Sequence, residues 1–406
     1  MDSLKQEYLL HRPCPLCGGN MPSLVTQYSD LQFYTDSGSE SEKRVTVSTV
    51  QCRLCGCLYM DPAYSPAGFD VLFDEAGMSY GAAPGRDVEQ VHWMHARGLL
   101  AQNFRVMDVG CYDGRFLRSI PFEVGRIGVD ADRGALERAT SLDPEGHYVN
   151  SFFEELDSED FGQLDLVTLI HVIEHVVDPK AVLAALWKLC SDSTRLVLET
   201  PIIERAADFA NDINGHFSVQ HLTHFSRSSL ERLIRDSRFE IIEWFDHPEY
   251  NGSRLVLSAK EGGKSSPNNT QNHGEFLRES IHLFRYLSSW HEATERALAA
   301  LHEGIDDVQN LVVWGAGMHT EILSYRAGAF WSGKDIRLVD GDPLKIGKSW
   351  RGILIEPPSI VSEIDWDSTK LVISSFASTE SISAHAIRMG VPERQIVRLY
   401  TGISHY

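Results

Sequence analysis

The sequence predicts an α/β protein with a doubly wound, mainly parallel sheet in its middle, a small cysteine-bearing module before it, and a second, smaller sheet of the same kind after it. Three observations predict this. Val106-Met107-Asp108-Val109-Gly110-Cys111-Tyr112-Asp113-Gly114 is an apolar strand that runs into a glycine turn, and a second strand, Gly128-Val129-Asp130-Ala131-Asp132, ends in acids. Two Cys-x-x-Cys pairs, Cys14/Cys17 and Cys52/Cys55, lie near the start of the chain. Leu311-Val312-Val313-Trp314-Gly315-Ala316-Gly317 and Ile336-Arg337-Leu338-Val339-Asp340-Gly341-Asp342 then repeat the order of strand, glycine turn, strand and acid.

At 406 residues the chain exceeds the length at which one core keeps growing, so two or three domains are expected. Its 43% hydrophobic and 23% charged residues are ordinary for a globular protein. A net charge of −20 opposes binding to nucleic acid or to anionic membrane surfaces. An anionic substrate must therefore meet a local basic pocket. No apolar stretch has membrane-spanning length, and Met1-Asp2-Ser3-Leu4-Lys5 does not begin a secretory signal, so the expected location is cytoplasmic. The expected partner is a small-molecule acceptor, with the protein a monomer or homodimer.

Residues 1–75 form the predicted N-terminal module. Each knuckle turns at glycine, and in a reducing compartment two Cys-x-x-Cys pairs read as thiolate ligands. Cys14, Cys17, Cys52 and Cys55 then complete a tetrahedral structural Zn²⁺ site, leaving Cys57 spare. Residues 76–262 carry alternating strands and helices, closed by a hairpin of Phe239–Phe245 and Gly252–Ser258. A polar Gly/Ser/Asn linker follows at 263–275. In 276–406, Leu277, Ile281, Phe284 and Leu287 recur at helical spacing, which predicts a long helix burying that stripe before the last sheet.

The central run resembles the class I S-adenosylmethionine (SAM) methyltransferases. The resemblance lies in the two strand ends above, in Leu166-Val167-Thr168-Leu169-Ile170-His171-Val172-Ile173-Glu174-His175 followed by Asp178-Pro179, and in Leu196-Val197-Leu198-Glu199-Thr200-Pro201. A dinucleotide site prefers glycine where Tyr112 stands, so the cofactor implied is SAM rather than NAD. The resemblance implies that Asp130, with Ala131 beside it, meets the ribose. Gly110, Cys111 and Gly114 shape the turn around the methionine part, and Asp108 supports that turn and the ligand's ammonium. Phe152 either flanks the adenine or belongs to the core, and His171 borders the cofactor. His171-x-x-Glu174-His175 also matches an inverted zinc-protease pattern, but that pattern needs a helix, and here it follows a strand.

Gln220-His221-Leu222-Thr223-His224-Phe225-Ser226 and Asn251-Gly252-Ser253-Arg254 resemble stretches of the sugar C-methyltransferases that act on nucleotide-linked 4-keto-6-deoxyhexoses. The order of a zinc module, a SAM domain and a smaller Rossmann-like C-terminal domain is similar too. The resemblance implies C-methylation next to the keto group, with His221 as the base that forms the enolate and Tyr80 as its helper. It implies a nucleotide-sugar acceptor met by Arg254 and by Lys345 or Lys348, whose side chains could equally lie in a solvated turn. Two departures stand out. Gln220 replaces the glutamate that normally precedes the histidine, and His224 replaces a tyrosine, so either His221 works alone, or His224, His216 or Glu174 shares the task, or the chemistry has drifted. O-methylation of a sugar or another small-molecule hydroxyl is one alternative, and a non-catalytic SAM- or nucleotide-binding protein is another.

Overall fold

The computed structural model describes residues 8–32, 44–73, 85–156, 161–260, 273–328, 331–343 and 345–400. The first of these hold β1 (Leu9–Leu10), β2 (Pro22–Gln32), β3 (Arg44–Cys52), β4 (Leu58–Met60), β5 (Ala63–Tyr64) and helix α1 (Pro66–Phe73). β2, β3 and β4 form an antiparallel meander, and β1 pairs with β5. The turn between β3 and β4 is the second cysteine knuckle, closed by Gly56 N–H donating to Cys52 O at 2.8 Å and Cys52 N–H donating to Cys57 O at 2.9 Å.

The central unit runs through α2 (Arg86–Ala96), β6 (Arg105–Val109), α3 (Arg115–Ser119), β7 (Gly125–Asp130), α4 (Arg133–Leu142), β8 (His147–Asn150), β9 (Leu166–Ile170), α5 (Pro179–Leu189), β10 (Arg195–Pro201), α6 (Ile203–Ala206), β11 (Thr223–His224), α7 (Arg227–Asp236), β12 (Phe239–Asp246) and β13 (Gly252–Ala259). Seven of these strands make one sheet in the order β12-β13-β10-β9-β6-β7-β8. β6 to β10 are parallel and β13 is antiparallel to both neighbours. β6, β9 and β10 are buried along most of their length, as a sheet covered by helices on both faces requires. Short polar side chains start the helices: Asp132 accepts from Ala135 N–H, Asp178 accepts from Lys180 and Ala181 N–H ahead of Pro179, and Ser226 and Ser229 form a capping box.

β11 leaves this unit to become the edge strand of the N-terminal sheet, whose order is β11-β4-β3-β2. The predicted linker lies mostly outside the described residues. After it come α8 (His273–Ile305), β14 (Asn310–Trp314), α9 (Met318–Ala327), β15 (Asp335–Val339), β16 (Ser349–Trp350), β17 (Ile353–Glu356), β18 (Thr369–Ile373), α10 (Thr379–Arg388) and β19 (Ile396–Arg398). They build a second, mainly parallel sheet in the order β16-β17-β15-β14-β18-β19.

The helix that opens this segment forms, but its buried face differs from the predicted one. Leu277, Ile281 and Phe284 are 63%, 66% and 70% exposed, while Leu283, Tyr286, Trp290, Ala297 and Leu301 face inward. Both sets obey helical spacing. The stacked rings of Tyr286 and Trp290, 5.9 Å apart, pack edge-on against Phe217, so they offer the larger apolar area and take the inward face. One continuous core joins Val45 and Val47 of β3 to Ile213 and Phe217, to α8, and to Val313, Leu338 and Val372 of the last sheet. Among the described residues no helix is long and apolar enough to cross a membrane.

Candidate active site

The turn after β6 has the geometry that close approach to a ligand demands. Gly110 adopts φ 78°, and a Cβ there would lie 2.3 Å from Val172 Cγ2, so no other residue fits. Tyr112 follows with φ 50°, and its N–H donates to Asp130 Oδ2 at 2.8 Å. Asp132 N–H donates to Asp130 Oδ1, also at 2.8 Å, so Asp130 is fixed at the tip of β7. Burial pushes the Asp130 carboxyl up to about 6 against these hydrogen bonds.

Beneath it, Asp108 is buried and accepts from Thr168 Oγ1 at 2.6 Å, with its carboxyl pushed up to about 7 by burial. A Cβ at Gly114 would meet Tyr148 Oη at 2.6 Å. Phe152 is 46% exposed just beyond the end of β8. The Cys111 side chain is buried under the turn, and Ala131 O accepts from Asn150 Nδ2 at 3.0 Å. These two residues therefore shape the site through their backbones.

A second cluster gathers around a buried carboxylate. His171, with φ 53°, places Nδ1 3.2 Å from Glu174 Oε1 and Nε2 3.2 Å from Glu199 Oε1. Glu174 is 2% exposed and accepts from Thr200 Oγ1 at 3.0 Å. Burial raises its carboxyl, but His171's hydrogen bond and the neighbouring imidazoles hold it at about 2. For His171, burial and Arg86 push downward, yet its bonds to Glu174 and Glu199 leave it raised. The segment 171–178 is a turn rather than a helix, so the protease pattern has no helical frame.

His175 and His221 face one another with ring centroids 4.8 Å apart. Ligand atoms of Glu174, His175 and His221 all lie within 4.8 Å of one another. Burial pushes His221 down to about 3, aided by His175 and opposed by Glu174, so the ring is neutral near pH 7. His216 stands behind, held by Asn251 Nδ2 at 3.1 Å and pushed down to about 4, mainly by burial.

The structure places three of the sequence-predicted acceptor residues away from the roles read for them. Arg254, read as a substrate ligand, is 1% exposed, with Nε 2.6 Å from Glu199 Oε2 and Nη2 2.7 Å from Glu89 Oε2. It neutralises carboxylates under the site and has no side-chain surface for an acceptor. His224 is buried behind His221, with neither ring nitrogen hydrogen-bonded, because β11 pairs it into the N-terminal sheet opposite Leu58. Gln220 contributes its backbone carbonyl, which meets His175 Nδ1 at 3.0 Å. Tyr80 lies outside the described residues.

The last sheet repeats the cofactor-side geometry. Ala316 N–H donates to Asp340 Oδ2 at 2.7 Å and Asp342 N–H to Oδ1 at 2.9 Å, the pattern that Tyr112 and Asp132 make on Asp130. Lys345 Nζ lies 3.4 Å from Asp340 Oδ2 and 3.7 Å from where a Cβ on Gly317 would stand, so it covers the glycine turn. Lys348 sits in the same turn, its N–H donating to Lys345 O at 3.0 Å. Tyr400 Oη meets His319 Nε2 at 2.6 Å and accepts from Ile213 N–H at 3.1 Å, tying this turn to the segment that leads to His221.

In the N-terminal module, the Sγ atoms of Cys14, Cys17, Cys52 and Cys55 lie within 4.8 Å of one another, with Cys14–Cys55 and Cys17–Cys52 both at 3.6 Å. Four sulfurs about 2.3 Å from one ion in a tetrahedron stand about 3.8 Å apart, so this set fits Zn²⁺. Gly19 N–H points at Cys17 Sγ from 3.4 Å, the kind of donor a thiolate uses. Cys57 turns its sulfur toward Leu58 O instead.

Asp340 and Glu199 each matter more to the packing than the sequence indicated: Asp340 was legible as an acid at a strand end, whereas nothing in the spacing marks Glu199.

The fold and this cofactor-side geometry define a class I SAM-dependent methyltransferase domain. Residues 82–243 match the family described as "Methyltransferase domain". The chain is similar to the ubiquinone biosynthesis O-methyltransferase of Erwinia tasmaniensis, 28% identical over 171 residues, or 40% of this chain and 67% of that protein. The enzyme of the same name from Cronobacter sakazakii is 28% identical over 37% of this chain and 63% of its own length. Among solved structures, magnesium protoporphyrin IX methyltransferase from Synechocystis PCC 6803 with bound SAH aligns at a TM-score of 0.36, 18% identity, 48% of this chain and 95% of that one. The protein is a SAM-dependent methyltransferase, which replaces the non-catalytic alternative.

Proposed function

We propose that this enzyme methylates a small-molecule acceptor seated between the histidine cluster and the C-terminal glycine turn, and that the acceptor is a nucleotide-linked keto-deoxysugar methylated at the carbon beside its ketone. The observation that carries this reading is the second strand-end cradle, Asp340 with the Gly315–Gly317 turn and Lys345, joined through Tyr400 to the segment bearing His221. A nucleoside suits such an acid-tipped turn, and an ammonium over the turn suits a diphosphate.

SAM, when bound against Gly110 and Asp130, supplies an electrophilic methyl group. His221, neutral at physiological pH, takes the proton from the carbon next to the ketone, and the C–H electron pair passes into the enolate, whose carbon is the nucleophile. Glu174 stays ionised behind the two imidazoles and compensates the positive charge that the proton brings. Zn²⁺ on Cys14, Cys17, Cys52 and Cys55 orders the module that carries β4.

A second reading, methylation of a hydroxyl, draws support from the relatives' printed activity and from Glu174, His175 and His221, which converge closely enough to hold a divalent cation. Incubation with SAM and a panel of nucleotide-linked 4-keto-6-deoxyhexoses, followed by mass and proton NMR, separates the two. A methyl singlet on a quaternary carbon supports C-methylation, and an O-methyl signal supports the second reading. In the first case His221→Ala abolishes turnover while SAM affinity holds; near-normal turnover in that variant removes His221 from the mechanism.

A further inference from the structure

We propose that Arg12, in the N-terminal cysteine module, is a positioning residue of the acceptor site: its guanidinium staples together the two loops that carry His175 and His221. The inference rests on the acceptor-side placement of these histidines proposed above, but not on which atom is methylated.

Arg12 is 7% exposed and lies two residues before Cys14. Nη1 donates to Val177 O, two residues beyond His175, and Nη2 donates to Leu222 O, the residue next to His221. Nε reaches Met60 O at 3.4 Å, so the same planar group also grips β4. Guanidinium is suited to this task because its donors are fixed in one fork and it remains charged when buried. A lysine offers a single ammonium and cannot hold the same three carbonyls in one plane.

The surrounding bonds make the loops depend on that staple. Met60 N–H donates to Leu222 O at 2.9 Å, and Leu222 and Thr223 N–H donate to Glu174 O at 2.7 and 3.0 Å. Tyr64 Oη, also from the module, donates to Val219 O at 2.8 Å. The chain leaving His221 is thus a strand of the module's own sheet, paired Thr223 to Tyr59 and His224 to Leu58. β4 starts directly after Cys57, where the second knuckle closes. The cysteine module therefore sets the height and register of His221 relative to Glu174 and His175, which are delivered by the methyltransferase sheet.

Another contact across the same interface serves as a control. Lys180 Nζ donates to Leu16 O at 2.5 Å but touches neither loop. Hydrogen exchange by mass spectrometry on the full chain compares wild type with Arg12→Ala, Arg12→Lys and Lys180→Ala, following peptides that cover 173–178 and 218–225. Losing charge-assisted bonds to two carbonyls is expected to speed exchange in both peptides by on the order of tenfold in Arg12→Ala. The expected effect is smaller in Arg12→Lys and absent in Lys180→Ala, with the SAM Kd by calorimetry unchanged in all three. With a nucleotide-linked 4-keto-6-deoxyhexose as acceptor, kcat falls by about tenfold or more in Arg12→Ala, Arg12→Lys restores part of it, and the KM for SAM stays put.

If the wild type makes no product from that sugar, the acceptor assignment fails, and the exchange experiment still decides the role of Arg12. Wild-type exchange in both peptides of Arg12→Ala would overturn the inference. So would acceleration spread evenly over β6, β9 and β10, or an equal effect from Lys180→Ala. Should Arg12→Ala not fold, Arg12→Lys alone decides: exchange confined to the two peptides supports the staple, and unchanged or uniform exchange overturns it.

Discussion

Replacing Arg254 by methionine tests whether the polar floor of the site is structural or ligand-binding. The side chain is 1% exposed, and Glu199, its partner at 2.6 Å, is 0% exposed. Without the guanidinium, Glu199 keeps His171 Nε2 at 3.2 Å and Gln90 Nε2 at 3.4 Å but loses its full opposite charge. Breaking a buried pair by removing one partner costs about 3–5 kcal/mol, and the two remaining donors place Arg254→Met near the lower end, about 3 kcal/mol. The sign with pH follows from Glu199, which burial pushes up but which His171 and then Arg254 hold at about 2. A carboxyl lowered in the folded state adds stability above its unfolded value of about 4.3, and that stability disappears as pH falls toward 2. In Arg254→Met the Glu199 value rises toward the unfolded one, so less of this acid-sensitive stability remains at neutral pH. Hydrogen exchange of β10 and β13 amides at pH 7 and pH 5, with the KM for acceptor measured in parallel, reads both roles. Stability within about 1 kcal/mol of wild type together with a raised acceptor KM would refute the ion-pair assignment and return Arg254 to the ligand-binding role that the sequence suggests.

Gly110→Ala forces a Cβ to 2.3 Å from Val172 Cγ2 at φ 78° and is expected to weaken SAM binding by about tenfold or more by calorimetry, the strain alone amounting to about 1–2 kcal/mol. Asp340→Ala frees the Ala316 and Asp342 N–H groups and is expected to raise the KM for a nucleotide-linked acceptor while leaving the SAM Kd unchanged, as steady-state kinetics and calorimetry would show. Cys17→Ser is expected to lower zinc content by plasma mass spectrometry from one ion per chain to well below one, because Cys17 completes the four-sulfur set.

Strands β6, β7, β9, β10, β14 and β15 were legible because each is a short apolar run bounded by glycine or acid, and their crossovers leave few topologies open. The positions on the candidate cofactor side were legible for the same reason: Gly110, Asp108 and Asp130 are at or next to strand ends, where one-dimensional spacing fixes three-dimensional position. The acceptor side was less so. Arg254 and Glu199 are opposite one another only because β13 runs antiparallel to β10, a register that neither sequence segment announces. His224 reads as a twin of His221, and its ring does lie near that of His221, with centroids 5.9 Å apart, but its strand pairs with β4, more than a hundred residues upstream, which buries it against the N-terminal sheet. The α8 stripe failed because a period of 3.6 fits two faces of the same helix, and only the volume of Tyr286 and Trp290 decides between them.

If the acceptor is the anionic nucleotide-sugar proposed above, the distribution of charge bears on how a chain of net charge −20 can bind it. Glu174 and Glu199 are buried at the acceptor site, but each is matched: Glu199 by Arg254 and His171, Glu174 by His171 and Thr200. On the acceptor side proposed above, a neutral imidazole pair, His175 and His221, stands in front, with the negative charge held one layer behind. Such a layer repels an anion weakly while the rings are neutral, and its ionised carboxylate offsets part of the burial that otherwise disfavours a proton on His221. The same arrangement would hold His175 and His221 ready for a divalent cation, because a carboxylate and two neutral imidazoles form a donor set of the right charge. Proton transfer and cation binding therefore compete for one lone pair on His221. An enzyme that works by C-methylation should lose activity when a tightly binding divalent cation is added, whereas one that methylates hydroxyls through the cation should require it.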